Sequence, residues 1–117
     1  MTYRVDISRP ALLDAENIYL WMKSESAERA DAWFKGLVET AKSLENFPNR
    51  YPIAPESRSF FIEIRQLLHG KGKQQYRIIF GVSVDERTDE DIVLIYRIRN
   101  ASQGYLTDLE IIGDSND

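Results

Sequence analysis

The chain of 117 residues has no cysteine, a single histidine and four prolines. Without cysteine there are no disulfide staples, no thiol nucleophile and no thiolate for a zinc finger. With His69 as the only histidine, a Ser-His-Asp triad has one residue on which it could be built. Apolar runs are short: residues 92–96 form an uninterrupted stretch, far below the roughly 20 residues that a membrane helix requires. The opening Met-Thr-Tyr-Arg-Val lacks the charged-then-apolar layout of a secretory signal, so the expectation is a cytoplasmic chain with no membrane contact. Repeats and low-complexity tracts are also missing.

What is present is ordinary globular material, 43% hydrophobic and 29% charged, at a length suited to one domain. Residues 1–112 are expected to form that domain, and the acidic tail 113–117 to be disordered. The net charge of -4 speaks against indiscriminate coating of nucleic acid. Its distribution is uneven, because residues 58–84 carry five basic groups against one acidic group. A localised anion-facing site is the expectation.

Tyr3, Val5 and Ile7 alternate with polar residues as a half-buried strand does. Ser8 followed by Pro10 is a helix start, and apolar residues at three- and four-residue steps carry that helix to about Lys23. After a polar break at residues 24–26, Ser26 caps a second helix of about twenty residues. Pro48, Pro52 and Pro55 predict a loop over residues 47–59. Strands are predicted at residues 60–68, 75–84 and 92–99, with hairpin turns at 69–73 and 85–91. The expected fold is therefore α+β: a helical hairpin on one face of a small, mostly antiparallel four-stranded sheet, in the order strand-helix-helix-strand-strand-strand.

Strict alternation places Ile62 and Ile64, Tyr76, Ile78 and Phe80, and Ile92, Leu94, Tyr96 and Ile98 towards the helices. Arg65, Arg77, Arg97 and Arg99 then converge on the helix-free side. Converging guanidinium forks suit phosphate, and with a Tyr or Lys to move a proton they suit RNA cleavage. The competing account is pairing with carboxylates such as Glu63. His69 with Lys71 and Lys73 reads as a solvated hairpin tip, and its Gly-Lys-Gly-Lys lacks the spacing of a phosphate-binding P-loop. The acidic run at 85–91 has no EF-hand pattern, so no metal and no cofactor is expected. Trp21, Trp33 and Phe34 read as core or helix-edge packing, whereas Tyr3, Trp21 or Trp33 left beyond the core would offer anchors to a partner helix.

The stretches YRVDISRPALLDAENIYLWM, SAERADAWFKGLVETAKSLENFPNRYPIAPES, EIRQLLHGKGKQQYRIIFGV and IVLIYRIRNAS together resemble the RelE/ParE superfamily of bacterial type II toxins, often labelled plasmid stabilisation proteins. The resemblance spans residues 2 to about 103. It implies a toxin neutralised by a cognate antitoxin, with promoter DNA contacted only through that antitoxin. The RelE-like branch cuts ribosome-bound mRNA with Lys, Arg and Tyr and without metal, whereas the ParE-like branch inhibits DNA gyrase by binding. On the ribonuclease branch, the resemblance assigns catalysis to Arg65, Arg77, Arg97 and Tyr105. Where many relatives read approximately Arg-Val-Arg-His-Gly-Arg-Arg, this chain has Arg-Ile-Arg-Asn100-Ala101-Ser102-Gln103. Asn100 cannot titrate, and neither Ser102 nor Gln103 is a cation. The expectation therefore tilts to the gyrase-directed branch, with loss of toxicity as a third reading.

Overall fold

A computed structural model describes residues 2–60 and 62–102 of the chain. Strand β1 (Arg4–Ile7) leads into helices α1 (Arg9–Glu25) and α2 (Ala27–Ser43). A 3-10 turn (Pro48–Arg50) and the short helix α3 (Ser57–Phe60) precede β2 (Arg65–His69). A second 3-10 turn (Gly72–Gln74), β3 (Tyr76–Asp85) and β4 (Glu90–Asn100) complete the described elements. The sheet order is β1-β4-β3-β2, with β1 parallel to β4 and the other neighbours antiparallel. The α+β fold expected from the sequence is the one observed.

Ser8 starts α1 as expected: its backbone is extended and its Oγ accepts the Ala11 N–H at 3.1 Å. The same hydroxyl donates to the Tyr96 carbonyl at 2.8 Å, while the Ser8 N–H reaches the Ile95 carbonyl at 2.9 Å. One residue thus caps the helix and fastens it to β4. Ser26 closes α1 by donating its N–H to the Met22 carbonyl at 2.8 Å, and its Oγ accepts the Arg29 N–H that opens α2. A one-residue hinge leaves the two helices no geometry other than an antiparallel hairpin. Among the described residues no helix is long and apolar enough to cross a membrane.

The main core lies between the hairpin and the sheet. Ala11, Ala15, Met22, Ala30, Trp33, Leu37 and Leu44 meet Tyr76, Ile78, Phe80, Val93, Ile95 and Ile98. Alanines at the helix contacts let the backbones approach closely, and each fully buried Ile or Phe of the sheet contributes roughly 1.5–3 kcal/mol. A second, smaller cluster of Ala54, Ile64 and Ile79, with Phe60 and Tyr96 packed on it, covers the opposite face.

Two features depart from the sequence reading. In β4, Ile79 pairs with Arg97 but Phe80 pairs with Ile95, so Tyr96 is an extra residue at a β-bulge. Insertion of one residue reverses the alternation. Val93 and Ile95 therefore join Ile98 in the main core, and Tyr96 packs on the other cluster, contrary to the face predicted for Ile92, Leu94 and Tyr96. In addition, the strand predicted at 60–68 begins only at Arg65. The Ser57 hydroxyl donates to the Ile62 carbonyl and accepts the Ile64 N–H, and the Ala54 N–H takes the Ile64 carbonyl, so these backbone groups are committed to a folded loop. The tail 113–117 lies outside the described residues.

Candidate functional site

Arg77 sits mid-sheet on β3 with its side chain 6% exposed. Its Nη1 and Nη2 donate to the two carboxylate oxygens of Glu56 at 2.9 and 2.5 Å, and its Nε donates to the Gln66 amide oxygen at 2.9 Å. Glu56 is held in place by the Ala-Pro-Glu turn: Ala54 is buried, Pro55 fixes its own φ, and the Ser57 N–H closes on the Ala54 carbonyl. The result is a buried fork-to-fork ion pair that pins the loop to the helix-free face of the sheet.

Arg97 lies near the β4 edge past the end of β1. Its Nε and Nη2 donate to Asp14 of α1 at 2.7 and 2.8 Å, and the same carboxylate accepts the Ile98 N–H at 3.0 Å. Asp14 thereby neutralises a guanidinium and caps a strand edge that β1 leaves uncovered. Arg65 pairs across the sheet with Phe80, a residue of the helix-side core. Its Nη1 donates to the Tyr51 carbonyl at 2.6 Å and its Nη2 to Glu63. Tyr51 in turn packs edge-on against Phe80 with ring centroids 6.2 Å apart.

The predicted convergence of Arg65, Arg77 and Arg97 on one face does not occur. Arg65 shares a register position with Phe80, Arg77 stands opposite Leu68 and Arg99 on the other face, and Arg97 turns to α1. The register of β2, which sets Arg65 opposite Phe80, and the Asp14 carboxylate that holds Arg97 are the physical reasons. Tyr105 lies outside the described residues, as does Gln103. Asn100 accepts the Ser102 N–H at 2.9 Å and its hydroxyl at 2.6 Å, so here it serves a turn.

His69 is placed differently from the solvated tip that its glycine neighbours suggest. Its Nδ1 lies 3.3 Å from the Thr40 hydroxyl and its Nε2 3.4 Å from the Trp33 carbonyl, so the ring joins β2 to α2. Gly36 is the signal that could have revealed this: a Cβ there would come within 3.0 Å of the His69 ring. On the outer side of the hairpin, Leu12, Leu20, Trp21, Phe34 and Val38 are exposed. Between α1 and α2 a cavity of about 450 Å³ is lined by Leu12, Tyr19 and Phe34 and rimmed by Glu16, Asp31 and Lys35. The Tyr19 hydroxyl donates to Asp31 at 2.6 Å, which pushes the phenol pKa up. Of the aromatics expected to be surplus to the core, Trp21 is exposed, Trp33 is buried and Tyr3 packs partly against the core.

A helical hairpin packed on a four-stranded mixed sheet is consistent with the fold of the RelE/ParE toxins. Within that class, the family model described as ParE toxin of type II toxin-antitoxin system, parDE, matches residues 5–105. The chain belongs to this ParE toxin family. Comparison with curated proteins finds no match. Membership in a type II toxin-antitoxin family implies an antitoxin as partner.

Proposed function

We propose that the chain stops growth by binding DNA gyrase in the manner of ParE toxins, and that a cognate antitoxin neutralises it by covering the exposed apolar face of the helical hairpin. The observation that carries this reading is the state of the three arginines. A ribonuclease of the RelE-like kind needs guanidinium donors aimed at a phosphate. Here Arg77, Arg97 and Arg65 each spend donors on Glu56, Asp14 and Glu63. Presenting Arg77 to RNA would first require separating a buried ion pair, a cost of several kcal/mol. Asn100 and Ser102, bonded to each other, add neither a titrating group nor a cation.

The antitoxin part rests on Leu12, Trp21 and Phe34, which offer anchors to an amphipathic helix. The test is direct. Purified chain is added to a gyrase supercoiling reaction and, in parallel, to ribosomes carrying mRNA. Inhibited supercoiling with intact mRNA supports the proposal. Cleavage at the ribosome that Arg97→Ala abolishes would replace it with the RelE-like reading. Unimpaired growth on inducing the chain alone would point to a member that has kept its partner and lost its toxicity.

A further inference from the structure

Phe47 is the most exposed large apolar side chain among the described residues, at 75%, and its backbone is left-handed, with φ 52°. Asp89 is the other described non-glycine residue with positive φ, and a short polar side chain tolerates that region. A bulky aromatic does not, and strain of this kind persists only where the surroundings hold it. With the ring this exposed, burial does not offset the strain, so packing does not explain why the chain turns Phe47 outward.

The surroundings hold the loop firmly. Pro48 is buried, the Tyr3 N–H takes the Glu45 carbonyl at 2.8 Å, and the Arg50 N–H returns to the Phe47 carbonyl at 3.1 Å. Tyr51, packed on Phe80 and gripped at its carbonyl by Arg65, supports Arg50 in turn. Arg50 Nη2 donates to the Tyr51 hydroxyl at 2.9 Å, and the guanidinium carbon lies 4.9 Å from the ring centroid. The Gln66 N–H closes on the Pro52 carbonyl, and Ile53 is left 48% exposed. The loop thus presents a ring, a cation and an aliphatic side chain at three-residue steps, ordered before any partner arrives. Such preorganisation lowers the entropic cost of association, and aromatic and arginine side chains are the usual centres of a binding interface.

Charge selects among occupants. Arg50 is the only charged residue from 46 to 55, too little for a DNA backbone, whose binding draws on several cations. A second copy docked loop to loop about a twofold axis would set Arg50 against Arg50. A protein surface with an apolar pocket beside a carboxylate suits all three side chains. The 17 residues of α2, about 25 Å of helix, place the loop at the opposite end of the hairpin from Trp21.

We propose that the loop 47–53 is the surface through which the toxin grips gyrase, Phe47 entering an apolar pocket of the enzyme and Arg50 meeting a carboxylate beside it. This assignment rests on the gyrase reading above and names the residues that make the contact.

Phe47→Asn separates a binding role from a structural one, because asparagine accepts left-handed backbone. The variant should unfold at the same or a higher urea concentration than the parent, yet bind purified gyrase at least about tenfold more weakly and lose inhibition of supercoiling in proportion. Arg50→Glu should weaken binding as well. A parent chain that inhibits supercoiling while both variants inhibit equally well refutes the loop and leaves the gyrase reading standing. A parent that neither binds nor inhibits gyrase refutes that reading and this contact with it. A lower urea midpoint for Phe47→Asn would show the ring serving the fold and would overturn the assignment. So would retardation of duplex DNA by the parent without gyrase, if Phe47→Asn abolishes it, or sedimentation of the parent as a dimer that Phe47→Asn dissociates.

Discussion

Removing the Glu56 carboxylate should be among the most damaging single substitutions in the described structure. The Glu56 side chain is 0% exposed and that of Arg77 6% exposed, so neither water nor salt can replace the lost partner. In Glu56→Ala the guanidinium keeps Gln66 on Nε, while the two donors that met the carboxylate lose it. Breaking a buried pair from one side costs about 3–5 kcal/mol. That is a large share of the roughly 5–15 kcal/mol available to a domain. For a chain of this size it corresponds to a melting temperature lower by about 12–20 °C. Removing both charges is a different perturbation, and Glu56→Leu with Arg77→Met should return to within about 1 kcal/mol of the parent. Urea unfolding of the parent, the single and the double variant reads all three values from one assay. A Glu56→Ala cost below about 1 kcal/mol, or a double variant no more stable than the single, would refute the claim that this pair pins the loop to the sheet.

Asp14→Ala should cost about 1–3 kcal/mol by stranding the Ile98 N–H and the Arg97 fork, and amide exchange at Ile98 should accelerate well beyond that in Asp14→Asn. Gly81→Ala places a Cβ 2.8 Å from the Tyr96 ring; a loss of roughly 1–3 kcal/mol is expected, shrinking in a Tyr96→Leu background, as a double-mutant cycle would show. Burial pushes the Tyr96 phenol above its ordinary pKa of 10.0. Because the folded state holds that proton more tightly than the unfolded chain, the contribution is complete below pH 10 and declines as pH rises through the folded value. Unfolding free energies from pH 8 to 11 should therefore fall less steeply for Tyr96→Phe, and parallel curves would count against a buried phenol.

Much of the scaffold was legible in the chain. Ser8 with Pro10, and Ser26 with its polar neighbours, announce helix starts by local chemistry that tertiary context did not override. The alternation of Tyr76, Ile78 and Phe80 correctly gave the core face of β3. β4 resisted the same method, since a bulge adds one residue and no single-chain pattern marks where parity changes. The site suffered from a like shift in β2, where Arg65 takes the register of Phe80 and so leaves the face that carries Arg77. Glu56 carried no periodic signal at all: its importance comes from contact with a residue twenty-one positions later. His69 was misjudged because glycines beside it suggested mobility, while the glycine that mattered, Gly36, lay in a helix thirty-three residues earlier.

The parallel pairing of β1 with β4 joins Arg4 to Ile92 and Ile7 to Ile95, nearly opposite ends of the described chain. The first of the described strands must wait for the last of them, and loop closure over such a separation is slow compared with formation of the helical hairpin. During synthesis the hairpin can therefore form while its sheet is incomplete, exposing the apolar residues that will later meet β4. A toxin built this way has a timed safety: its sheet cannot be finished before β4 has left the ribosome. A partner that recognises the hairpin alone could engage the nascent toxin within that interval.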